Sequence, residues 1–154
     1  MAPRSQLYSA LTGNTSFSAE GGSLTTLNNQ APLFLASNTN AQITLKDLKV
    51  ELPSSLLLRA EADERWGEPG YNGATVSLIL EKVLLTGRIV ADELSSVNIS
   101  MVNNAVLTGA INTDHKALFI SLSMDPSSSW TLTGNSYVNR LQGVTVSGNT
   151  VSGI

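Results

Sequence analysis

Few side chains in this chain of 154 residues can do chemistry, and four of them fall into a regular pattern. Three segments end in Thr-Gly, at Gly87, Gly109 and Gly134. Asp92 lies five residues after Gly87, Asp114 five after Gly109, and Asn139 five after Gly134. Asp63 follows Leu58 by five and takes the same place one repeat earlier. If the repeats stack, these groups come within about 5–10 Å of one another. Carboxylates that close raise one pKa, leaving an acid beside a base, or they hold a cation such as Ca²⁺. Glu93, His115 and Lys116 adjoin the column. An Asp pair with a His and a Lys suits proton transfer or glycoside chemistry. On that reading Asp92, Asp114, His115 and Lys116 are catalytic, while Asp63 and Asn139 contact a ligand. Beside it stands a plainer reading. Asp and Asn fill corresponding turns, and Lys116 balances their charge.

A second candidate is the segment 59–74, which breaks the pattern of the rest. It holds many of the charges, and Trp66 and Tyr71 flank Gly67-Glu68-Pro69-Gly70. It reads as a protruding loop, and loops on a rigid scaffold commonly carry function. Exposed faces of Trp66 and Tyr71 could stack on a sugar ring or an apolar ligand. Alternatively, Trp66 folds back as a lid over the core.

Composition removes many other chemistries. The chain has no cysteine, so it has neither disulfides nor thiolate metal sites. Nine basic residues and a net charge of −3 argue against a nucleic-acid partner. His115 is the single histidine, which excludes multi-histidine metal sites and the zinc-hydrolase helix motif. Any Ser-His-Asp triad would have to use it, and no Gly-x-Ser-x-Gly elbow is present. The glycine motifs for phosphates and dinucleotides are also missing. No cofactor is expected beyond Ca²⁺ at Asp92 and Asp114. Runs such as Leu56-Leu57-Leu58 are too short to span a bilayer. The first residues do not resemble a signal peptide, which fits a cytoplasmic protein or one whose leader lies outside this chain.

The elements that position these residues show in the hydrophobic pattern. Val76, Leu78 and Leu80 alternate with other residues; so do Val97, Ile99 and Met101, and Ile120, Leu122 and Met124. Apolar residues at every second position mark strands with one buried face. The Thr-Gly glycines are 22 and 25 residues apart, a period that points to an all-β solenoid. One such coil encloses no core alone, but stacked coils place inward Val, Ile and Leu in columns. The 47 Ser, Thr and Asn residues then supply turns and outward faces. About five or six coils are expected in a single domain spanning 1–154. Residues 1–16 form the expected N-terminal cap, with a short helix over 1–12. The segment from Val144 to Val151 reads as a last coil without a cap, an expected route to a homo-oligomer.

Several stretches carry a resemblance. They are Ser37-Asn38-Thr39-Asn40-Ala41, Arg65-Trp66-Gly67, Leu107-Thr108-Gly109-Ala110-Ile111-Asn112-Thr113-Asp114 and Ser129-Trp130-Thr131-Leu132-Thr133-Gly134-Asn135-Ser136-Tyr137. Over roughly residues 20–154 the chain resembles β-helical bacterial and fungal proteins like the passenger domains of pertactin-like autotransporters. The resemblance implies a right-handed parallel β-helix, secreted or on the cell surface, and carries over no catalytic residue. The expected function is a non-enzymatic structural or adhesive protein that binds a glycan or another surface. The alternatives are a small lyase, glycoside hydrolase or isomerase using Asp92 and Asp114 on a small-molecule ligand, and a calcium-binding coil stack.

Overall fold

The computed structural model describes residues 13–26, 29–65 and 67–154, and all helical or strand structure in them is β-strand. The helix expected over 1–12 lies outside these residues. Residues 13–16 of the expected cap are the start of the first strand. The chain makes repeated circuits through three sheets. The first circuit contains β1 (Gly13–Glu20), β2 (Ser23–Thr25) and β3 (Phe34–Ala36). The second contains β4 (Thr39–Lys46), β5 (Lys49–Glu51) and β6 (Leu56–Ala60), and the third β7 (Ala74–Glu81), β8 (Leu84–Thr86) and β9 (Arg88–Ala91). Next come β10 (Ser96–Val102) and β11 (Val106–Thr108), then β12 (Phe119–Met124) and β13 (Ser129–Thr131). The chain ends with β14 (Arg140–Gln142), β15 (Val144–Ser147) and β16 (Thr150–Gly153).

Each circuit adds a parallel strand to the same sheets. The long strands form a six-stranded sheet, β1-β4-β7-β10-β12-β14. The short strands form β3-β6-β9 and the run β2-β5-β8-β11-β13 of a seven-stranded sheet. After β9 the smallest sheet shrinks to one bridge, Ile89 to Ile111. Register explains the alternation in the sequence. Ile43 lies beside Leu78, Leu78 beside Ile99 and Ile99 beside Leu122. Leu45, Leu80, Met101 and Met124 form the adjacent row. Both rows are buried in one continuous core. Burying each such side chain is worth about 1.5–3 kcal/mol. A slip of one residue would turn a whole row to solvent, so the register is strongly specified.

The corner after each long strand is built the same way. Gly21, Asp47, Lys82 and Asn103 follow β1, β4, β7 and β10, and all have positive φ. The Gly21 N–H donates to the Lys46 carbonyl at 3.0 Å, Asp47 to Glu81 at 3.0 Å, and Lys82 to Val102 at 3.2 Å. At the fifth such corner the chain has Pro126, whose ring holds φ negative. The Asn103 N–H instead donates to the Asp125 carboxylate at 2.8 Å. Outside the same corner, the Lys46 ammonium lies 3.9 Å from Glu20 and 3.4 Å from Glu81. Such exposed pairs are worth only about 0–1 kcal/mol, but this one reads register across three strands.

The Thr-Gly motif has a packing cause. Thr86, Thr108 and Thr131 are in register, which brings Gly109 onto the backbone of Gly87. A Cβ on Gly109 would collide with the Gly87 carbonyl. The buried Trp130 indole N–H donates to the Gly109 carbonyl at 2.8 Å. Gly134 does not share this position, because Leu132 follows Thr131 in the register.

At the C-terminal end the expected uncapped coil is replaced by an antiparallel hairpin. β15 pairs with β16, and β16 pairs antiparallel with β13. Gly148 and Asn149 make its two-residue loop, with Gly148 at φ 60; glycine first is the type II′ arrangement that matches strand twist. β15 and β14 are the end strands of their sheets on this side. Gly109→Ala is expected to destabilise the fold by about 2 kcal/mol through this collision. Gly134→Ala, where a Cβ meets the Ala110 Cβ at an ordinary 3.6 Å, should stay within about 0.5 kcal/mol of wild type. Urea unfolding of the two variants measures the difference.

Candidate functional site

The column expected from the Thr-Gly spacing divides when the strands are in register. β6 and β9 place Ala60 beside Ala91, and the Asp92 N–H donates to the Ala60 carbonyl at 3.1 Å. The neighbour of Asp92 is thus Glu61, just past the end of β6, and Asp63 lies further along the chain. Asn139 belongs to another corner, just before β14. It bonds Ile120 twice: the Asn139 N–H donates to its carbonyl at 2.9 Å, and the Asn139 side-chain carbonyl accepts its N–H at 2.7 Å.

Asp92 is half-buried and its carboxylate is fully engaged. One oxygen accepts the Ala62 N–H at 2.8 Å; the other accepts the Leu94 N–H at 3.1 Å and the Ser95 hydroxyl at 2.7 Å. The Ser95 oxygen in turn accepts the Ala74 N–H at 3.0 Å. One carboxylate therefore ties together three successive passages of the chain. Glu93, next to it, is exposed. In the following circuit the buried Asn112 serves that purpose. Its side-chain oxygen accepts the Lys116 and Ala117 N–H groups at 3.1 Å each, and its amide donates to the Tyr137 carbonyl at 3.1 Å.

Asp114, His115 and Lys116 are exposed on the turn that Asn112 organises. His115 takes φ 56 and stacks its ring on Tyr137, with centroids 4.1 Å apart and planes 8° from parallel. Nothing in the local spacing announces Tyr137 as its partner. Asp114 and Arg88 line a cleft of about 270 Å³ that opens where the three-stranded sheet ends; Ala91, Thr133 and Gly134 also line it. Asp63 is held elsewhere, in a fork with Arg65 at 2.8 and 3.0 Å. That side-chain hydrogen bonding, with the Arg65 N–H at 2.9 Å, holds its carboxyl at about 2. Tyr71 is 76% exposed on its loop, and Trp66 lies outside the described residues. Among the described residues, no group of three or more His, Cys, Asp or Glu converges to hold a metal ion, and no helix is long and apolar enough to cross a membrane.

The most extended arrangement of polar groups is the outer face of the six-stranded sheet. Ser16, Gln42, Ser77, Asn98 and Ser121 form one row across five strands, each residue beside the next. Asn14, Asn40, Thr75, Ser96 and Phe119 form a parallel row. Neighbours within a row are about 4.8 Å apart, the strand spacing. Some bond along it: the Asn40 amide donates to Asn14 at 3.4 Å and the Ser121 hydroxyl to Asn98 at 2.6 Å. The second row is uncharged, and the first is uncharged from Ser16 to Ser121 and then meets Arg140 of β14. A shallow depression of about 420 Å³ lies over Asn14, Ser16, Asn40, Gln42, Thr75 and Ser77. The sequence marks these residues only as outward positions of strands.

Replacing Asp92 by Ala strands two backbone N–H groups and a hydroxyl, so a loss of about 2 kcal/mol is expected. Asp114→Ala should change stability by less than about 0.5 kcal/mol; chemical denaturation distinguishes the two. Asp125 sets an acid limit. The Asn103 N–H, then the Ser127 and Ser128 hydroxyls, hold its pKa at about 2. A depressed carboxylate contributes stability that is full above about pH 4 and is lost as pH falls toward 2. Wild type should therefore lose melting temperature over that window, and Asp125→Asn should melt lower at neutral pH with a flatter acid profile. No family model matches the chain, and no curated protein and no solved structure shows significant similarity to it.

Proposed function

We propose that the circuits form a right-handed parallel β-helix of about five coils, like the passenger domains of pertactin-like autotransporters, and that the protein is a non-enzymatic adhesive or structural element. It acts outside the cell or at its surface and binds glycans on the outer face of the six-stranded sheet. The observation that carries this reading is the row Ser16–Gln42–Ser77–Asn98–Ser121, five neutral polar residues in register before Arg140 ends it on β14. Hydroxyls and carboxamides both donate and accept, as a polyol requires. Strand pairing fixes the spacing of these groups before a ligand arrives, so little ordering is left to oppose binding. Phe119, partly exposed at the end of the neighbouring row, offers a ring face for an apolar sugar face. The acid–base alternative is weakened by Asp92, whose oxygens already hold three donors.

Glycan-array and polysaccharide pull-down measurements test the reading. The double variant Gln42→Ala/Asn98→Ala, at exposed positions, should bind about 10- to 30-fold more weakly with unchanged circular dichroism, reflecting about two lost hydrogen bonds. Tyr71→Ala should bind like wild type. Loss of binding on Tyr71→Ala alone would move the site to the loop between β6 and β7, and no glycan retained by wild type would reject the reading.

A further inference from the structure

The cleft beside β9 exists because the next circuit starts to pair with that strand and then leaves it. The N–H groups of Arg88 and Asp92 donate to the Ser55 and Ala60 carbonyls, so the even-numbered residues of β9 face β6. The odd-numbered ones face the next circuit. Ile89 donates to the Ala110 carbonyl at 3.0 Å and accepts the Asn112 N–H at 2.9 Å. Two residues on, Ala91 presents its N–H and carbonyl to the same side. There the chain has already turned away: Asn112 takes φ 57, and its carbonyl accepts the His115 N–H at 3.0 Å. Among the described residues, no hydrogen bond takes up the two Ala91 groups on that side, although Ala91 is only 4% exposed. Unpaired backbone groups at such buried positions are rare. Ala91 lines the cleft of about 270 Å³ together with Arg88 and Asp114. Arg88 and Asp114 carry opposite charges, yet neither joins an ion pair among the described residues.

We propose that this cleft binds a free α-amino acid. The ligand carboxylate takes the Arg88 guanidinium, whose planar fork matches two carboxylate oxygens. The ligand ammonium takes the Asp114 carboxylate. The Ala91 N–H and carbonyl, one donor and one acceptor, serve the same two ligand groups. Charge selects this class over the others. A phosphate or sulfate would meet the like charge of Asp114, and a metal ion or simple amine would meet that of Arg88. A neutral sugar would displace water from both charges without pairing either. A small zwitterion satisfies both charges and both backbone groups. Size points the same way. Small-molecule sites usually span about 300–1,000 Å³, and a cleft of about 270 Å³ suits one amino acid better than an oligosaccharide. Val90 and Ala110 supply an apolar wall for a short side chain. None of the lining residues belongs to the six-stranded sheet, so the site is independent of glycan binding there.

Titration of the full chain with L-alanine, followed by calorimetry and by backbone amide NMR shifts, tests the site. Saturable binding is expected with a dissociation constant of about 0.1–1 mM, and the Ala91 amide should be among the resonances that move. N-acetyl-L-alanine lacks the ammonium and L-alanine amide lacks the carboxylate. Each should bind at least about tenfold more weakly than L-alanine. Arg88→Gln and Asp114→Asn change exposed side chains, so both variants should keep the wild-type circular dichroism spectrum and weaken L-alanine binding by a similar factor. No saturation by L-alanine, glycine or L-valine up to about 20 mM overturns the proposal. Equal binding of N-acetyl-L-alanine also overturns it, because the cleft would then be a plain carboxylate site. Unchanged L-alanine binding in either folded variant does the same.

Discussion

Everything in this molecule follows from one repeated geometric demand: each circuit must lie one strand spacing, about 4.8 Å, from the next. At that distance the neighbour of a side chain is its counterpart one circuit away. Branched and unbranched aliphatics satisfy this by stacking, as Ile43, Leu78, Ile99 and Leu122 do. The backbone satisfies it with parallel hydrogen bonds. Where two passages come closer than a Cβ permits, glycine is required, which explains Gly87 beneath Gly109. Where the chain leaves the long sheet, a positive φ is required at the same place in successive circuits. Asp47, Lys82 and Asn103 all adopt it, although only Asp and Asn do so readily.

The acidic residues take their meaning from the same demand. A parallel stack leaves N–H groups without acceptors wherever a corner changes shape. Asp125 supplies an acceptor to Asn103 beside Pro126, and Asp92 supplies one to Ala62 across the space between circuits. With charged residues only 14% of the chain, a carboxylate is a scarce group. Asp63, Asp92 and Asp125 are used to hold turns. The outer face of the broad sheet carries mainly neutral hydroxyls and amides from Ser16 to Ser121. Strand pairing arranges these in rows, with no dedicated loop to position them.

Much of this arrangement was legible in the residues alone. Strict alternation over β7, β10 and β12 identified strands and their buried faces, because a period of two has no other common cause. The Ser, Thr and Asn excess was correctly placed in turns and outward positions. Misreadings arose where a single residue type was used as a ruler. Aligning Gly134 with Gly109 was wrong by two residues, since Thr131 and not Thr133 pairs with Thr108. That shift took Asn139 out of the aspartate column. The hairpin was signalled by Gly148-Asn149, yet Val144, Val146 and Val151 alternate well enough to pass for another coil.

The sequence by itself determined which residues are strands, which face is apolar and which chemistries are excluded, because those depend on composition and on neighbours in the chain. Only the tertiary structure decided which residues meet. His115 on Tyr137, Asp92 on Ala62, and the row from Ser16 to Ser121 join positions separated by one or more circuits. The number of residues in each corner varies, so counting along the chain accumulates error. The register is settled instead by hydrogen bonding and packing against the neighbouring circuit, where one residue of slip would expose an entire apolar row.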